Sequence, residues 1–356
     1  MRTGKVAVKR TLVLGGDVMR VPAICSRLHN GDVAPLVVVC WDVEPDSRTP
    51  ERGAADRWMS FERLVPRVEE LRDRIADLTG APASFSWFLR MDPQVAEACG
   101  SPSWVAERYA DELAALESYG DQLGLHTHIW RWEGGGSAWV RDHDPAWEGH
   151  CLDVALQAFK TAFGRPCRAH RGGDRTLSSD TLRRLSAEGV AVDLTVEPDT
   201  PPEGPQAKHE RTAGLTPDYR GVPRTPYRTT AEVFPAADPS STSDPLLIPL
   251  ATRPRGKYRC ARPLQLHIVP GLFAARLLAA TRSLSPPVLA FAMRTDVGTI
   301  RTWDLVKRNL EHLARLPGVR FVGASDAAAS LPGLYGQVPA APPRSRFGLA
   351  RSTGRL

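Results

Sequence analysis

Two carboxylates and two histidines stand at the ends of two predicted strands, in a pattern that suits a divalent metal ion. Asp42 directly follows the apolar run PLVVVCW, and Glu44 lies two residues further on, a costly place for charge. His126 and His128 lie two residues apart in QLGLHTHIW, so an extended chain projects both imidazoles to one face. Imidazole and carboxylate ligands from neighbouring strands are typical of zinc-like sites that keep a position for water. The alternatives are a capped turn at Asp42 and Glu44, and a hydrogen-bonded polar cluster at the histidines.

A third group of reactive residues ends the next predicted strand. Arg168, His170 and Arg171 precede Gly172 and Gly173 in CRAHRGGDR. An arginine there can hold a carboxylate in its ionised form, and glycines let the backbone approach a ligand. A turn with solvated arginines is the alternative. Three predicted strands therefore carry reactive groups at their carboxyl ends, where barrel enzymes gather their catalytic residues.

The elements that position these residues alternate along the chain. Short β-branched or aromatic runs alternate with stretches of helical period, which is typical of a parallel sheet with crossover helices. This predicts a (β/α) barrel of seven or eight strands. From Glu197 to about Asp244 no periodicity survives, so we expect a long insertion loop that is disordered or functional. The predicted strands are Leu36–Asp42, Ala83–Leu89, Gln122–Thr127, Cys167–His170, Val190–Val196, Leu246–Leu250, Pro287–Met293 and Val319–Val322.

Length and charge narrow the class of protein. The 356 residues suit a barrel domain at 34–335, between an N-terminal extension (1–33) and a basic, disordered tail (336–356). The formal charge is +6, but residues 1–33 and 337–356 carry +4 each, so the rest is close to neutral. A neutral body argues against a nucleic-acid partner. Six cysteines without a CxxC pair, and no signal or bilayer-spanning segment, predict a cytoplasmic protein.

Five segments in this order resemble one known family. They are CWDVEPD, SFSWFLRMDP, QLGLHTHIW, FGRPCRAHRGGDRTLSSDTLRRLSAEGVAVDLTVEP and VLAFAMRTDVG. Together they resemble the polysaccharide deacetylases (NodB-like, carbohydrate esterase family 4), in the branch whose first motif is DVE. The resemblance implies a NodB-like distorted TIM barrel. It also implies a metal-dependent hydrolase, most often with Zn²⁺, that removes acetyl groups from N-acetylated sugars or glycoconjugates.

The same resemblance implies a role for individual residues. Asp42 matches the family's general base and Glu44 its metal-binding acid. His126 matches the first metal histidine, and Arg168 matches the arginine that orients the base.

This chain departs from the family pattern at two places. The family separates its two metal histidines by three residues, which would put Trp130 in the second place, so we assign that ligand to His128. The family also has a general-acid histidine in its last motif, and AFAMRTD has none. The proton could reach the leaving amine through Asp42 and water, or catalysis could have been lost. The candidate substitutes are Arg294, Asp296 and His267.

The remaining predictions concern the substrate. Trp87 and Trp130 are predicted to stack on sugar faces, although tryptophans are often core residues, and Arg171 and Arg294 to bind the substrate. The expected partner is an acetylated amino sugar or glycosylated small molecule. Two alternatives stay open: a metal-independent amidohydrolase that cleaves another C–N bond, and a sugar-binding relative without catalysis.

Overall fold

The computed structural model describes residues 35–53, 58–134, 138–203, 211–213, 216–253, 262–281 and 288–331. The predicted extension (1–33) and tail (336–356) lie outside these ranges. The strands are β1 (Leu36–Val43), β2 (Ser86–Arg90), β3 (Gln122–Thr127), β4 (Trp130–Glu133), β5 (Ala138–Asp142), β6 (Ala169–Gly172), β7 (Val192–Asp193), β8 (Arg211–Ala213), β9 (Leu246–Leu247), β10 (Thr252–Arg253), β11 (Arg262–Pro263), β12 (Val288–Arg294) and β13 (Arg320–Phe321).

Helices follow most of these strands. They are α1 (Met59–Thr79), α2 (Pro93–Cys99), α3 (Trp104–Arg108), α4 (Ala110–Ser118), α5 (Pro145–Phe163), α6 (Ser179–Ala187), α7 (Pro270–Ala280), α8 (Val297–Arg301), α9 (Trp303–Ala314) and α10 (Ala324–Ser330), with a 3₁₀ turn at Gly173–Arg175. No helix in the described part of the chain is long and apolar enough to cross a membrane.

The main sheet is parallel and curls towards closure. Its order is β12-β1-β2-β3-β6-β7-β9, and β13 pairs with the beginning of β1. A parallel bridge between Leu250 and Ala290 joins the segment after β9 back to β12. Parallel strands with surrounding helices confirm the predicted distorted, NodB-like (β/α) barrel of seven or eight strands.

Side-chain alternation along the strands divides the core in two. In β1, Val37 and Val39 face the large cluster under the helices, whereas Val38 and Cys40 belong to a smaller cluster inside the barrel. Successive strand residues point to opposite faces. The inward row of β1 therefore ends with Asp42 at the carboxyl end of the barrel.

Two elements differ from the sequence prediction. Residues 104–119 have a continuous helical period in the sequence, which predicts one helix, but they form two, α3 and α4, which meet at Tyr109. The antiparallel hairpin of β4 and β5 was not predicted, and it begins two residues after the second histidine of QLGLHTHIW. The segment after β3 is therefore partly ordered as a β-ribbon.

The predicted insertion loop covers one side of the barrel. No helix lies between β7 and β9 in the ranges that the structure describes. Instead, Tyr219 and Tyr227 are buried, and Tyr227 bridges Leu247 of β9. The beginning of the loop lies at the carboxyl end of the strands, as its position in the sequence predicts.

The barrel interior has no room for an added methyl group beside Gly124. A Cβ there would lie 2.6 Å from the Ala169 carbonyl oxygen and 2.9 Å from the Phe88 ring. We expect Gly124→Ala to lower the free energy of unfolding by about 1–3 kcal/mol, the usual cost of overpacking. Urea denaturation measures this change. Gly134→Ala is the control, because nothing lies within 4 Å of its added Cβ, and equal stability of the two variants would contradict the packing.

Candidate metal centre

At the carboxyl ends of several strands, the last side chains that point into the barrel lie at the same level. Asp42 pairs in register with Arg294, and His126 pairs with Arg90 on one side and Arg171 on the other. These strand ends open into a cavity of about 970 Å³. Its lining includes Asp42, Glu44, His126, His128, Arg171 and Arg294.

Three of these residues present potential ligand atoms to one another. Glu44 Oε1 lies 3.1 Å from His126 Nε2 and 3.8 Å from His128 Nε2, and the two Nε2 atoms are 3.0 Å apart. All three side chains are buried. Ligand atoms around a tetrahedral zinc ion stand about 3.3 Å apart, given bonds of about 2.0–2.1 Å. The site fits a divalent metal ion.

The outer nitrogens of both histidines are already hydrogen-bonded. His126 Nδ1 lies 2.9 Å from the Arg171 carbonyl oxygen, and His128 Nδ1 lies 3.1 Å from Asp174 Oδ2. If both Nδ1 atoms donate, two Nε2 lone pairs face each other, an arrangement that a cation stabilises. The indole N–H of Trp130 also lies 3.0 Å from His128 Nδ1, so that nitrogen either donates to Asp174 or accepts from Trp130.

Two of the three side chains, Glu44 and His128, are held in the protonation states that bind metals. Burial, reinforced by the charge of Arg90, lowers the pKa of His128 well below its ordinary value. Burial alone would raise the pKa of Glu44, but Arg294 and the two histidines outweigh it and hold that pKa well below the usual range. Both residues are therefore ready to coordinate at neutral pH.

Asp42 lies beside this cluster and is paired with Arg171. Arg171 Nε lies 2.9 and 3.0 Å from the two Asp42 oxygens, and its Nη1 donates to the Leu194 carbonyl oxygen. Burial by itself would lower the pKa of Arg171, but the Asp42 charge raises it above its ordinary value. Asp42 Oδ2 is 3.9 Å from His126 Nε2. A carboxylate held in this way can accept a proton from a molecule in the cavity.

The structure corrects the assignment of the orienting arginine. Arg168 is exposed and donates to the Gly189 carbonyl oxygen at 2.8 Å. It precedes β6, at the amino end of the strand, and therefore lies at the wrong end of the barrel. Arg171, in the same inward row as Ala169, holds Asp42 instead.

The predicted substrate residues divide into two groups. Arg171 and Arg294 line the cavity, and Arg294 Nη2 donates to Glu44 Oε2 at 2.8 Å. Trp87 is core instead, because it points outward from β2, stacks on Trp41 and donates to Asp121. Trp130 is also buried, and its indole contacts His128 rather than facing the cavity. The prediction that these two tryptophans stack on sugar is therefore corrected.

The turn after β6 contains contacts that the sequence prediction missed. Asp174 and Arg175 have φ of 50° and 64°, in the left-handed region that few non-glycine residues occupy. This conformation brings Asp174 to His128 and to Arg48, with which it forms an ion pair. A Cβ on Gly173 would lie 2.2 Å from the His128 ring. The GGD sequence was the available signal for such a close approach.

Glu197 is a second missed residue. It follows β7 and lines the cavity, with Arg175 Nε at 3.9 Å. Burial raises the pKa of Glu197 although Arg175 and Arg171 act in the opposite direction. Its place after an apolar strand, in VDLTVEPD, repeats the signal that indicated Asp42.

Comparisons with known proteins find matches among solved structures only. No family model and no curated protein matches the chain. A candidate polysaccharide deacetylase from Mycobacterium smegmatis overlays at TM-score 0.48 and 12% identity, over 85% of this chain and 95% of that one. A GH57-type branching enzyme from Pyrococcus horikoshii gives 0.46 and 11%, over 84% and 70%. A CE4 family pseudoenzyme from Bacillus anthracis gives 0.40 and 8%, over 84% and 66%. The family resemblance therefore rests on the motifs and on this chain's own barrel and site.

Two arginine variants test the corrected assignment. Arg171→Met leaves Asp42 buried without its partner, so we expect the free energy of unfolding to fall by about 3–5 kcal/mol. Arg168→Met removes only an exposed contact, and a change within about 0.5 kcal/mol is expected. Urea denaturation of both variants measures the difference. A larger loss for Arg168→Met than for Arg171→Met would restore the original assignment.

Proposed function

We propose that this protein is a metal-dependent hydrolase that removes the acetyl group from an N-acetylated sugar or glycoconjugate. The observation that carries the proposal is the position of Asp42. Its carboxylate, held by Arg171, lies next to three potential metal ligands in a single cavity. A base beside a metal-ligating cluster suits the activation of water for attack on an amide.

The residues of this chain divide the work of amide hydrolysis. Glu44, His126 and His128 would hold the ion, which when bound polarises the acetyl carbonyl and acidifies water. Asp42 accepts the proton of the attacking water, and Arg171 keeps that carboxylate oriented. The Arg294 guanidinium lines the cavity beside Glu44 and can donate to the substrate near the reacting carbon.

The leaving amine needs a proton, and three residues were candidates to supply it. Arg294 is a poor proton donor, because guanidinium stays protonated in proteins. Asp296 caps α8 by accepting from the Thr299 N–H at 2.9 Å. His267 lines the cavity. We therefore propose His267 as the general acid, since histidine is the side chain that most often transfers protons in catalysis.

The cavity supports a substrate rich in hydroxyl groups. At about 970 Å³ it is large enough for at least one sugar unit, and most of its lining residues are polar or charged. Since Trp87 and Trp130 are buried away from it, recognition by hydrogen bonds replaces the stacking that the sequence suggested. Glu197 and Thr200, in the segment that follows β7, line the cavity and can take part in such bonds.

Metal content and acetate release together test the proposed activity. We expect wild-type protein incubated with Zn²⁺ to retain about one equivalent and to release acetate from N-acetylated amino sugars. His126→Ala and Glu44→Gln should lose both properties. Asp42→Asn should keep the metal but lose at least about 100-fold in kcat/KM, as expected for a general base. Atomic emission and an enzymatic acetate assay measure these quantities.

The same experiment separates the alternatives. Acetate release by metal-free wild-type protein would favour a metal-independent amidohydrolase. Metal-loaded protein that binds acetylated sugars without releasing acetate would favour a non-catalytic sugar-binding relative, a reading that the missing last-motif histidine supports.

The role of His267 depends on the leaving group. We expect His267→Asn to reduce kcat/KM about 10²–10⁴-fold for an N-acetyl sugar, whose amine must be protonated as it leaves. An aryl acetate releases a stable phenolate, so its hydrolysis should fall only a few-fold. Steady-state kinetics on both substrates measure the contrast, with Gln265→Ala as a cavity-lining control. Equal losses on the two substrates would exclude His267 as the proton donor.

A further inference from the structure

Strand β2 lies between the two strands that supply the metal-binding residues. It pairs with β1, which leads into Glu44, and with β3, which carries His126, yet it contributes no ligand itself. Its last residue, Arg90, is completely buried and pairs in register with His126. Because a buried charge costs several kcal/mol unless it is compensated, the contacts of Arg90 must account for its position.

One side of the Arg90 guanidinium is held by two acceptors. Nε and Nη2 donate to the Asp92 carboxylate at 2.6 and 3.0 Å, and Nη2 donates to Gln94 Oε1 at 2.6 Å. The same Asp92 carboxylate accepts the backbone N–H of His128 at 2.9 Å. Arg90 is thereby connected to the backbone of a metal-binding residue through one carboxylate.

The other side of the guanidinium faces Glu44. Arg90 Nη1 is buried, forms no hydrogen bond within the described part of the chain, and lies 3.8 Å from Glu44 Oε2. Arg294 donates to that same oxygen at 2.8 Å. Two guanidinium groups therefore attract Oε2, and this leaves Oε1 directed at the two histidines. The carboxylate is set to offer one oxygen to a ligand.

We propose that Arg90 is the positioning residue of the metal centre, fixing Glu44 and His128 relative to each other from the strand between them. The inference rests on the proposed metal site and goes beyond its ligands. Arg90 acts through Asp92 on one ligand and by charge on the other. If Arg90 only neutralised Asp92, its loss would reduce stability but leave the affinity for metal unchanged.

Three variants separate positioning from stability. Arg90→Lys keeps the charge but loses the fork that reaches Asp92, Gln94 and Glu44 together. Gln94→Met removes one acceptor without changing any charge, so it remains informative if Arg90→Lys does not fold. Arg72→Met is the control, because it breaks another buried arginine–aspartate pair, with Asp121 on the outer side of the barrel.

The measurements are the Zn²⁺ dissociation constant, by competition with a chromogenic chelator, and Tm with and without Zn²⁺. We expect Arg90→Lys to raise Kd about 10–100-fold, the usual effect of losing a residue that orients metal ligands. Gln94→Met should raise Kd less, by roughly 3–10-fold, since Asp92 still holds Arg90. Both should show a smaller rise in Tm on adding Zn²⁺, whereas Arg72→Met should lower Tm and keep the wild-type Kd.

The results separate a failure of the positioning role from a failure of the proposed metal site. Wild-type Kd in Gln94→Met and in folded Arg90→Lys would overturn the positioning role and leave the metal site intact. An equal rise of Kd in Arg72→Met would also overturn it, by showing a general effect of lost stability. Wild-type protein that binds no Zn²⁺ would reject the metal site itself, and the role of Arg90 with it.

Discussion

The geometry of this site depends on the need to compensate each charge that is buried away from water. A buried carboxylate is tolerated only beside a compensating charge or several donors. At the carboxyl end of this barrel four carboxylates pair with four arginines, and these arginines come from four different segments of the chain. The pairs are Asp42 with Arg171, Glu44 with Arg294, Asp92 with Arg90, and Asp174 with Arg48. The two histidines stand within this ring of pairs, and the ring fixes where their ring nitrogens point.

The sequence was sufficient to predict that Asp42, Glu44, His126 and His128 converge. Strand parity and the common direction of parallel strands bring carboxyl-terminal residues to one face, and neither depends on distant contacts. Choosing between arginines three residues apart was harder, because it requires knowing where β6 begins. If the strand end is misplaced, the role of orienting Asp42 is assigned to Arg168 instead of Arg171. In the same way, a shift of one residue exchanges the two faces of a strand.

Other parts of the site could not be predicted, for a different physical reason. The role of Arg90 depends on Glu44, 46 positions earlier, and on a backbone N–H 38 positions later. No local sequence pattern indicates contacts between residues so far apart in the chain. The loop between β7 and β9 lacks any period because it packs through individual tyrosines and turns rather than through a repeating face. For the same reason, Trp87 could be recognised as core only once its outward direction was known.

The paired charges also bear on how the proposed metal site would be loaded. In many metal sites the ion cancels repulsion among its ligands, so that removing it unfolds the surrounding chain. Here the carboxylates are already neutralised, and Glu44 and His128 are in their binding forms before any ion arrives. Folding of the site therefore does not require the ion, although an ion that binds the folded protein adds to its stability. A centre formed in this way would take up its ion after folding, so its metal content would follow the ions that are available at that time.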